Sequence, residues 1–337
     1  MQSPFEIYDI FDANKKESKI VISTNDSLIE TKKLPSDTFK LILTSPPYNI
    51  GKSYETQTSL QDYLSWQESI LVELIRIMHP NGSLVLQVGN FVDNGEVFPL
   101  DLYFYPICKK LGLQLRNRIV WHFDHGLHCK KRLSGRYEVV LWFTKNQDYT
   151  FNLDPIRVPS KYPEKRHFKG AKKGQLSGNP LGKNPSDFWQ FMVDEFENGI
   201  FNVPNVKHNH PEKLAHPCQY PIEIAERCVL AFTNENDWVL DPFGGVGSTL
   251  IASIKNNRKA MSIDRDESYS KLAKQRVHDF FDGTLKMREI GTPIYKSTKS
   301  NQANKTSPQQ NDKIDFFDTN EYFNDTCSLY NTKLSDK

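Results

Sequence analysis

Ser45, Pro46, Pro47 and Tyr48 set a hydroxyl, a rigidly held backbone carbonyl and a flat aromatic ring within one short turn. The two prolines fix φ and donate nothing to a sheet ladder, so the chain must leave the preceding strand along a stiff path. Two fixed acceptors, the Ser45 hydroxyl and the Pro46 carbonyl, suit the two N–H bonds of an exocyclic amino group on a nucleobase. Held by both, a nitrogen whose lone pair is otherwise delocalised becomes pyramidal and nucleophilic. Tyr48 supplies a ring on which such a base can stack once it is out of its helix.

A second stretch carries a complementary chemistry. The apolar run Trp238-Val239-Leu240 ends in Asp241, and Pro242-Phe243-Gly244-Gly245-Val246-Gly247-Ser248-Thr249 turns into the helix-like run Leu250 to Lys255. A strand, an acid at its carboxyl end and a glycine-rich turn are how an open α/β sheet accepts an adenosine-type ligand, because glycine lets the backbone approach closely. This is not the dinucleotide pattern, since Leu250 stands where the third glycine would fall, nor a Walker loop, since no Lys follows Gly247. The strand Lys259 to Ile263 ends in a further acid, Asp264, about 17 residues beyond Gly247 and well placed to accept from ribose hydroxyls. Asp241 would repel a phosphate but not a cationic amino acid.

The two stretches together resemble the amino-methyltransferases of DNA, which methylate the exocyclic nitrogen of cytosine or adenine. Thr44-Ser45-Pro46-Pro47-Tyr48 is similar to that family's catalytic motif, and Asp241-Pro242-Phe243-Gly244-Gly245-Val246-Gly247-Ser248 to its S-adenosylmethionine loop, F-x-G-x-G. His216-Pro217-Cys218-Gln219-Tyr220-Pro221 is similar to the family segment that closes over the methionine end of the cofactor, with Tyr220 where Lys is usual. The catalytic motif precedes the cofactor motif by about 200 residues, the order of the circularly permuted β group. The resemblance covers residues 18 to 282 or so. It implies a doubly wound, mostly parallel α/β methyltransferase sheet carrying an inserted DNA-recognition region. It also implies S-adenosylmethionine as cofactor, double-stranded DNA as substrate, and a restriction endonuclease acting on the same site as a possible partner.

On that reading Ser45, Pro46, Pro47 and Tyr48 are catalytic. Asp241 holds the methionine amine and Asp264 the ribose, with Phe243, Gly245, Gly247, Ser248, His216 and Pro217 completing the cofactor site. Transfer is direct: no metal, nucleophilic cysteine or covalent intermediate is needed. Ser rather than Asp or Asn at position 45 resembles the cytosine-N4 members, and adenine N6 is the alternative. RNA and protein-glutamine methyltransferases also use a Pro-Pro-Tyr turn, but place the cofactor loop before it. A catalytically dead DNA-binding regulator built on the same sheet would have lost Ser45, Tyr48 or the cofactor acids, and this sequence keeps them.

The elements that must position these residues are legible as alternating runs. Strands are expected at Lys19–Ser23, Phe39–Leu43, Ser83–Val88, Leu113–Phe123 and Tyr137–Thr144, and helices at Asn25–Lys32, Leu60–Met78 and Leu100–Leu111. Pro221 opens a helix through Phe232 whose Ile222, Ala225, Val229 and Phe232 share a face, and Glu267–Phe280 forms another. Residues 1–17 read as a loosely attached polar arm, 18–145 as the catalytic half, 146–205 as the recognition insert, 206–284 as the cofactor half, and 285–337 as a polar tail with Lys296 to Lys313 disordered. Gly51 to Glu55 reads as a mobile loop over the site.

At 337 residues with 38% apolar content the chain can bury a sizeable core. It has no apolar run approaching the roughly 20 residues of a spanning helix, so nothing in it suggests a membrane. Cys108, Cys129, Cys218, Cys228 and Cys327 are odd in number and form no C-x-x-C pair, as expected of reduced thiols in the cytoplasm. Whether the chain is a monomer or a homodimer is left open. A net charge of +2 implies no nucleic acid by itself, so the DNA contacts must be clustered. Lys130, Lys131, Arg132 and Arg136 form one cluster, following a His122–Cys129 segment whose three histidines lack the pattern of a zinc site. From Arg157 to Lys183, eight basic residues face the single acid Glu164, with Tyr162, His167 and Phe168 interleaved. Lys172, Lys173 and Lys183 are expected on phosphates, and Gln175, Asn179 and Asn184 are candidates for base edges.

Overall fold

The computed structural model describes residues 6–12, 19–49, 57–93, 95–123, 129–190, 206, 210–214 and 219–288. Its chain begins with the short strand β1 (Ile7–Tyr8), then β2 (Ile20–Thr24), α1 (Ser27–Lys33), β3 (Phe39–Thr44), α2 (Leu60–Ile77) and β4 (Met78–Val88). A hairpin, β5 (Asn90–Asp93) and β6 (Glu96–Pro99), leads into α3 (Leu100–Lys110), β7 (Gln114–His122) and β8 (Tyr137–Thr144). After β9 (Phe188–Gln190) come α4 (Ile222–Phe232), β10 (Trp238–Asp241), α5 (Ser248–Lys255), β11 (Lys259–Asp264) and α6 (Glu267–Phe281).

Nine of these strands, among the described residues, form one sheet in the order β1-β2-β11-β10-β3-β4-β8-β7-β9. From β1 to β4 every neighbour is parallel, while β8 is antiparallel to both β4 and β7. The expectation of a doubly wound, mostly parallel sheet is met. Alternating strand residues feed two cores: Ile20, Ile22, Leu41 and Leu43 pack with α4, α5 and α6, whereas Val21, Ile42, Leu84 and Leu86 pack with α2 and α3. Each fully buried aliphatic side chain contributes about 1.5–3 kcal/mol of burial free energy, which fixes the strand register and hence the ends of the strands.

The local rules hold where the side chains supply them. Asp26 caps α1 by accepting from Leu28 N and Ile29 N, and Ser59 caps α2 by accepting from Asp62 N. Pro80-Asn81-Gly82, expected only to stop α2, lies inside β4, and the β3–β4 register shifts across it. Residues 6–12 are not a loose arm. Ile7 and Tyr8 pair with Ile20 and Val21, Asp9 accepts from Lys274 Nζ at 2.6 Å, and Phe11 packs on Phe39 and Trp238. The polar composition of 1–17 hid the apolar residues that anchor it.

Connectivity defines a switch point. From β3 the chain passes through α2 to β4 on one side, and from β10 through α5 to β11 on the other, yet β3 and β10 are neighbours. In open α/β sheets the crevice for ligands opens at the carboxyl ends of such a divergent pair. Ser45 follows β3 and Pro242 follows β10, so both stretches singled out in the sequence leave the sheet at that rim. Because β8 and β7 run antiparallel, the β7–β8 connection that includes Lys130, Lys131, Arg132 and Arg136 also leaves from that rim.

Candidate active site

The two stretches are joined directly. Thr44, the last residue of β3, donates its hydroxyl to Asp241 Oδ1 at 2.6 Å, across 197 positions of sequence. Beyond Thr44 the proline turn is held from two sides. Tyr63 of α2 donates its hydroxyl to the Pro47 carbonyl at 2.8 Å, and the Ser45 hydroxyl donates to Tyr48 Oη at 3.2 Å. Asn49, in the left-handed region at φ 60°, closes the following segment. Its side chain donates to the Thr58 carbonyl and accepts from Thr58 N, both at 2.8 Å. Tyr48 is 9% exposed. Gly89, just past β4, makes room for it: a β-carbon there would lie 2.9 Å from Tyr48 Cε2 and 3.4 Å from Glu138 Oε1.

Asp241 is 1% exposed and takes four donors. Oδ1 accepts from Thr44 Oγ1 and, at 3.1 Å, from Phe243 N; Oδ2 accepts from Tyr220 Oη at 2.7 Å and Thr249 Oγ1 at 2.8 Å. Burial pushes the Asp241 carboxyl above the usual range, and these four bonds oppose that shift. Burial and the adjacent Asp241 carboxylate push the Tyr220 phenol well above its ordinary value, which keeps it a donor. A carboxylate has about four acceptor positions, and here all are filled from within the protein. An ammonium group would reach Asp241 only by displacing one of those donors. Asp241 ties β3, β10, α5 and Tyr220 together.

Asp264 is built differently. It is half-buried at the end of β11, and each oxygen takes one backbone donor: Gly245 N on Oδ2 and Asp266 N on Oδ1, both at 2.8 Å. Each oxygen keeps an acceptor position for a hydroxyl. Burial raises its pKa, opposed by those two N–H groups. The turn between the acids requires glycine for space, since a β-carbon at Gly244 would fall 1.8 Å from Ser262 Oγ. Gly247, at φ 80°, occupies the N-cap position of α5, and Ser248 donates its hydroxyl to the Tyr220 carbonyl at 2.9 Å. Phe243 stands edge-on to Trp66 of α2 at 5.8 Å between centroids. A close-approaching glycine turn beside a carboxylate with spare acceptor positions fits the sugar and chain of an adenosyl cofactor.

Structure thus brings Ser45, Pro46, Pro47 and Tyr48 to one rim of the sheet with Asp241, Phe243, Gly245, Gly247, Ser248 and Asp264. His216 and Pro217 lie outside the described residues, as do Lys52, His125, His128, His208, Cys218, Cys327, residues 191–205 and the tail from 289. Lys130, Lys131 and Arg132 are exposed, and Arg136 is half-buried at the base of its loop, where its carbonyl accepts from Phe123 N. Lys172, Lys173 and Lys183 are exposed too, in a lobe pinned by bridges Val158–Lys183 and Arg166–Leu176. Phe168 and Tyr162 in that lobe are 89% and 65% exposed, which sets aromatic rings among cations. His122 packs on Phe188. Cys108 and Cys228 are buried, with thiol pKa values pushed up to about 12, so neither is poised as a nucleophile. Among the described residues no helix is long and apolar enough to cross a membrane.

Sequence reasoning missed four contributors. Thr44 and Tyr220 stood in the motifs, and the Lys-to-Tyr change at 220 was the available signal. Thr249 and Gly89 carried none, because a hydroxyl one turn into a helix and a glycine after a strand are common for other reasons.

A ligand crevice at the switch point of a parallel sheet, bounded by an acceptor-rich proline turn and a glycine turn, defines a methyltransferase-type α/β fold. The N6/N4 family model described as DNA methylase matches residues 39–275. Type II methyltransferase M.BglII from Bacillus subtilis is 47% identical over 243 residues, which cover 72% of this chain and 64% of that protein. M.ScaI from Streptomyces caespitosus is 34% identical over 264 residues, 77% of this chain and 82% of that one. Among solved structures, a DNA modification methylase from Thermus thermophilus in complex with S-adenosyl-L-methionine is 26% identical. It covers 78% of this chain and 93% of its own, with a TM-score of 0.54. The chain belongs to the N6/N4 DNA methylase family.

Proposed function

We propose that this protein transfers a methyl group from S-adenosylmethionine to the exocyclic N4 of cytosine in double-stranded DNA, by base flipping and direct transfer. The observation that carries the reading is the Thr44–Asp241 hydrogen bond at the β3–β10 switch point, which puts the proline turn beside the glycine turn. When bound, the cofactor supplies a methyl group already activated by its sulfonium. The chain's own work is positioning and electrostatics. Asp264 accepts from the ribose hydroxyls, and the glycine turn lets the backbone lie against the adenosine. Ser45 Oγ and the Pro46 carbonyl accept the two amino N–H bonds and aim the nitrogen lone pair, while Tyr48 packs against the extruded base. Ser45 in place of an acid or amide supports cytosine over adenine.

Lys130, Lys131, Arg132 and Arg136, at the same rim as the turn, hold the DNA backbone near the crevice, and Lys172, Lys173 and Lys183 extend that contact. In this division of labour residues 18–145 are the catalytic half, 146–205 the recognition insert and 206–284 the cofactor half. The Type II relatives support a place in a restriction–modification system, with a cognate endonuclease as partner, in the bacterial cytoplasm. The test is mass analysis of nucleosides from unmethylated DNA incubated with the pure protein and isotope-labelled S-adenosylmethionine. Label in N4-methylcytosine is the expected result; label on adenine alone rejects the assignment of the base.

A further inference from the structure

The turn that receives the amino group carries Ser45 where an acid would be a base. Once the nitrogen has bonded to the methyl carbon, and the carbon–sulfur bond has broken with its electron pair left on sulfur, the nitrogen is positively charged. It regains neutrality by losing one N–H proton. A serine hydroxyl and a proline carbonyl are poor acceptors for that proton at neutral pH. A carboxylate lies close by. Glu138 is the second residue of β8, and β8 runs antiparallel to β4, so its amino end is at the rim where β3 and β4 end. The register pairs Val88 with Val139, and Glu138 therefore falls beside Gly89.

Gly89 has no side chain to fill the space between Glu138 and Tyr48. A β-carbon placed there would touch Tyr48 Cε2 at 2.9 Å and Glu138 Oε1 at 3.4 Å. Cε2 adjoins the hydroxyl-bearing carbon of the ring, and the Ser45 hydroxyl bonds to that same Tyr48 Oη. Ser45 Oγ thus bonds the hydroxyl of the ring, while Glu138 Oε1 and the Cε2 edge of the same ring both border the space over Gly89. Glu138 is also oriented: Gln87, 3% exposed on β4, donates its side-chain amide to Glu138 Oε2, on the oxygen opposite the one facing Gly89. A half-buried carboxylate on a β-strand, with Oε2 accepting from Gln87 and Oε1 bordering the space over Gly89 that the ring of Tyr48 also borders, has the placement a proton acceptor needs.

We propose that Glu138 is a catalytic residue, whose carboxylate accepts the proton released by the target amino group during methyl transfer, with Gln87 as its positioning residue. This rests on the methyltransferase reading above. In the balanced step an N–C bond replaces the C–S bond, the sulfur leaves as a neutral thioether, one N–H proton moves to Glu138 Oε1, and the base leaves neutral. Release to solvent afterwards restores the carboxylate.

The test compares wild type with Glu138→Gln and Glu138→Asp. Three quantities are measured: the single-turnover rate of methyl transfer to unmethylated genomic DNA, the Kd for S-adenosylmethionine by calorimetry, and Tm. Glu138→Gln keeps the shape and can still bond to Gln87, so Tm and cofactor Kd are expected to stay within about twofold of wild type while transfer slows by about 100-fold or more. Glu138→Asp is expected to recover part of the rate. A folded, cofactor-binding Glu138→Gln that transfers methyl within about threefold of the wild-type rate overturns the proposal alone. A wild-type protein that binds the cofactor but methylates no DNA overturns the underlying reading and the proposal with it.

Discussion

Replacing Gly89 with Ala is the smallest perturbation that reaches the proline turn without removing a polar group. Gly89 is not at positive φ, so the backbone accepts an L residue and any effect comes from contact alone. The new β-carbon would sit 2.9 Å from Tyr48 Cε2, and carbon atoms pack at about 3.5–4.0 Å, so the ring must retreat by roughly 0.6–1 Å. Tyr48 is buried in the core cluster that also holds Tyr63 and Phe91, and its hydroxyl is bonded to Ser45, so that retreat displaces the turn as well. Overpacking of this kind costs about 1–3 kcal/mol of stability, and a 1 Å misplacement of reacting groups costs on the order of 100-fold in rate. Gly89→Ala should therefore melt lower, bind S-adenosylmethionine as tightly as wild type, and transfer methyl far more slowly. Tm, calorimetry and single-turnover transfer on the same preparation separate the three. Transfer at the wild-type rate by the folded variant would show that Tyr48 has no part in holding the base.

The remaining predictions concern the supports of the crevice. Tyr220→Phe removes one donor from a buried carboxylate and should lower stability by roughly 1.5–3 kcal/mol, read from urea unfolding; an unchanged midpoint would mean that Asp241 does not depend on Tyr220. His210 is 5% exposed, and burial together with Arg288 pushes its pKa down to about 4. The folded state stays neutral there while the unfolded chain takes up a proton below about 6.5. Stability should thus be intact above that pH and fall by on the order of 2 kcal/mol, after allowance for screening, as pH drops toward 4. His210→Gln should flatten that dependence, and an equally steep loss in the variant would assign it to other groups. For the exposed lobe, the double change Lys172→Ala and Lys173→Ala should reduce the salt dependence of DNA binding by about one to two units of log–log slope with cofactor affinity unchanged. An unaltered slope would take the lobe off the DNA backbone.

Most of the sheet was legible because its strands are short apolar runs punctuated by proline, glycine and acids. Tyr137–Thr144 and Ile222–Phe232 have the bounds their patterns suggest, and the capping aspartate of α1 was visible as Asn25-Asp26-Ser27. What escaped was long-range pairing. Two residues, Ile7 and Tyr8, cannot announce an edge strand by periodicity, and their pairing with β2 depends on a partner chosen by the fold. At the site, the motif residues were readable but their satisfaction was not. Asp241 looked free to bind a ligand because sequence cannot show that Thr44, Phe243, Tyr220 and Thr249 all donate to it. Glu138 was hidden ahead of the apolar run Val139 to Phe143 of its strand, and only the β4–β8 register carries it to the rim.

A crystal structure with S-adenosylmethionine bound tests the central claim most directly, since the claim is that one crevice serves both the cofactor and the base. The account predicts the ribose hydroxyls on Asp264, the adenosine against the Gly244–Gly247 turn, and the sulfonium methyl pointing toward Ser45 and the Pro46 carbonyl. A cofactor seated away from the β3–β10 strand ends, or one whose methyl points away from the proline turn, would contradict it.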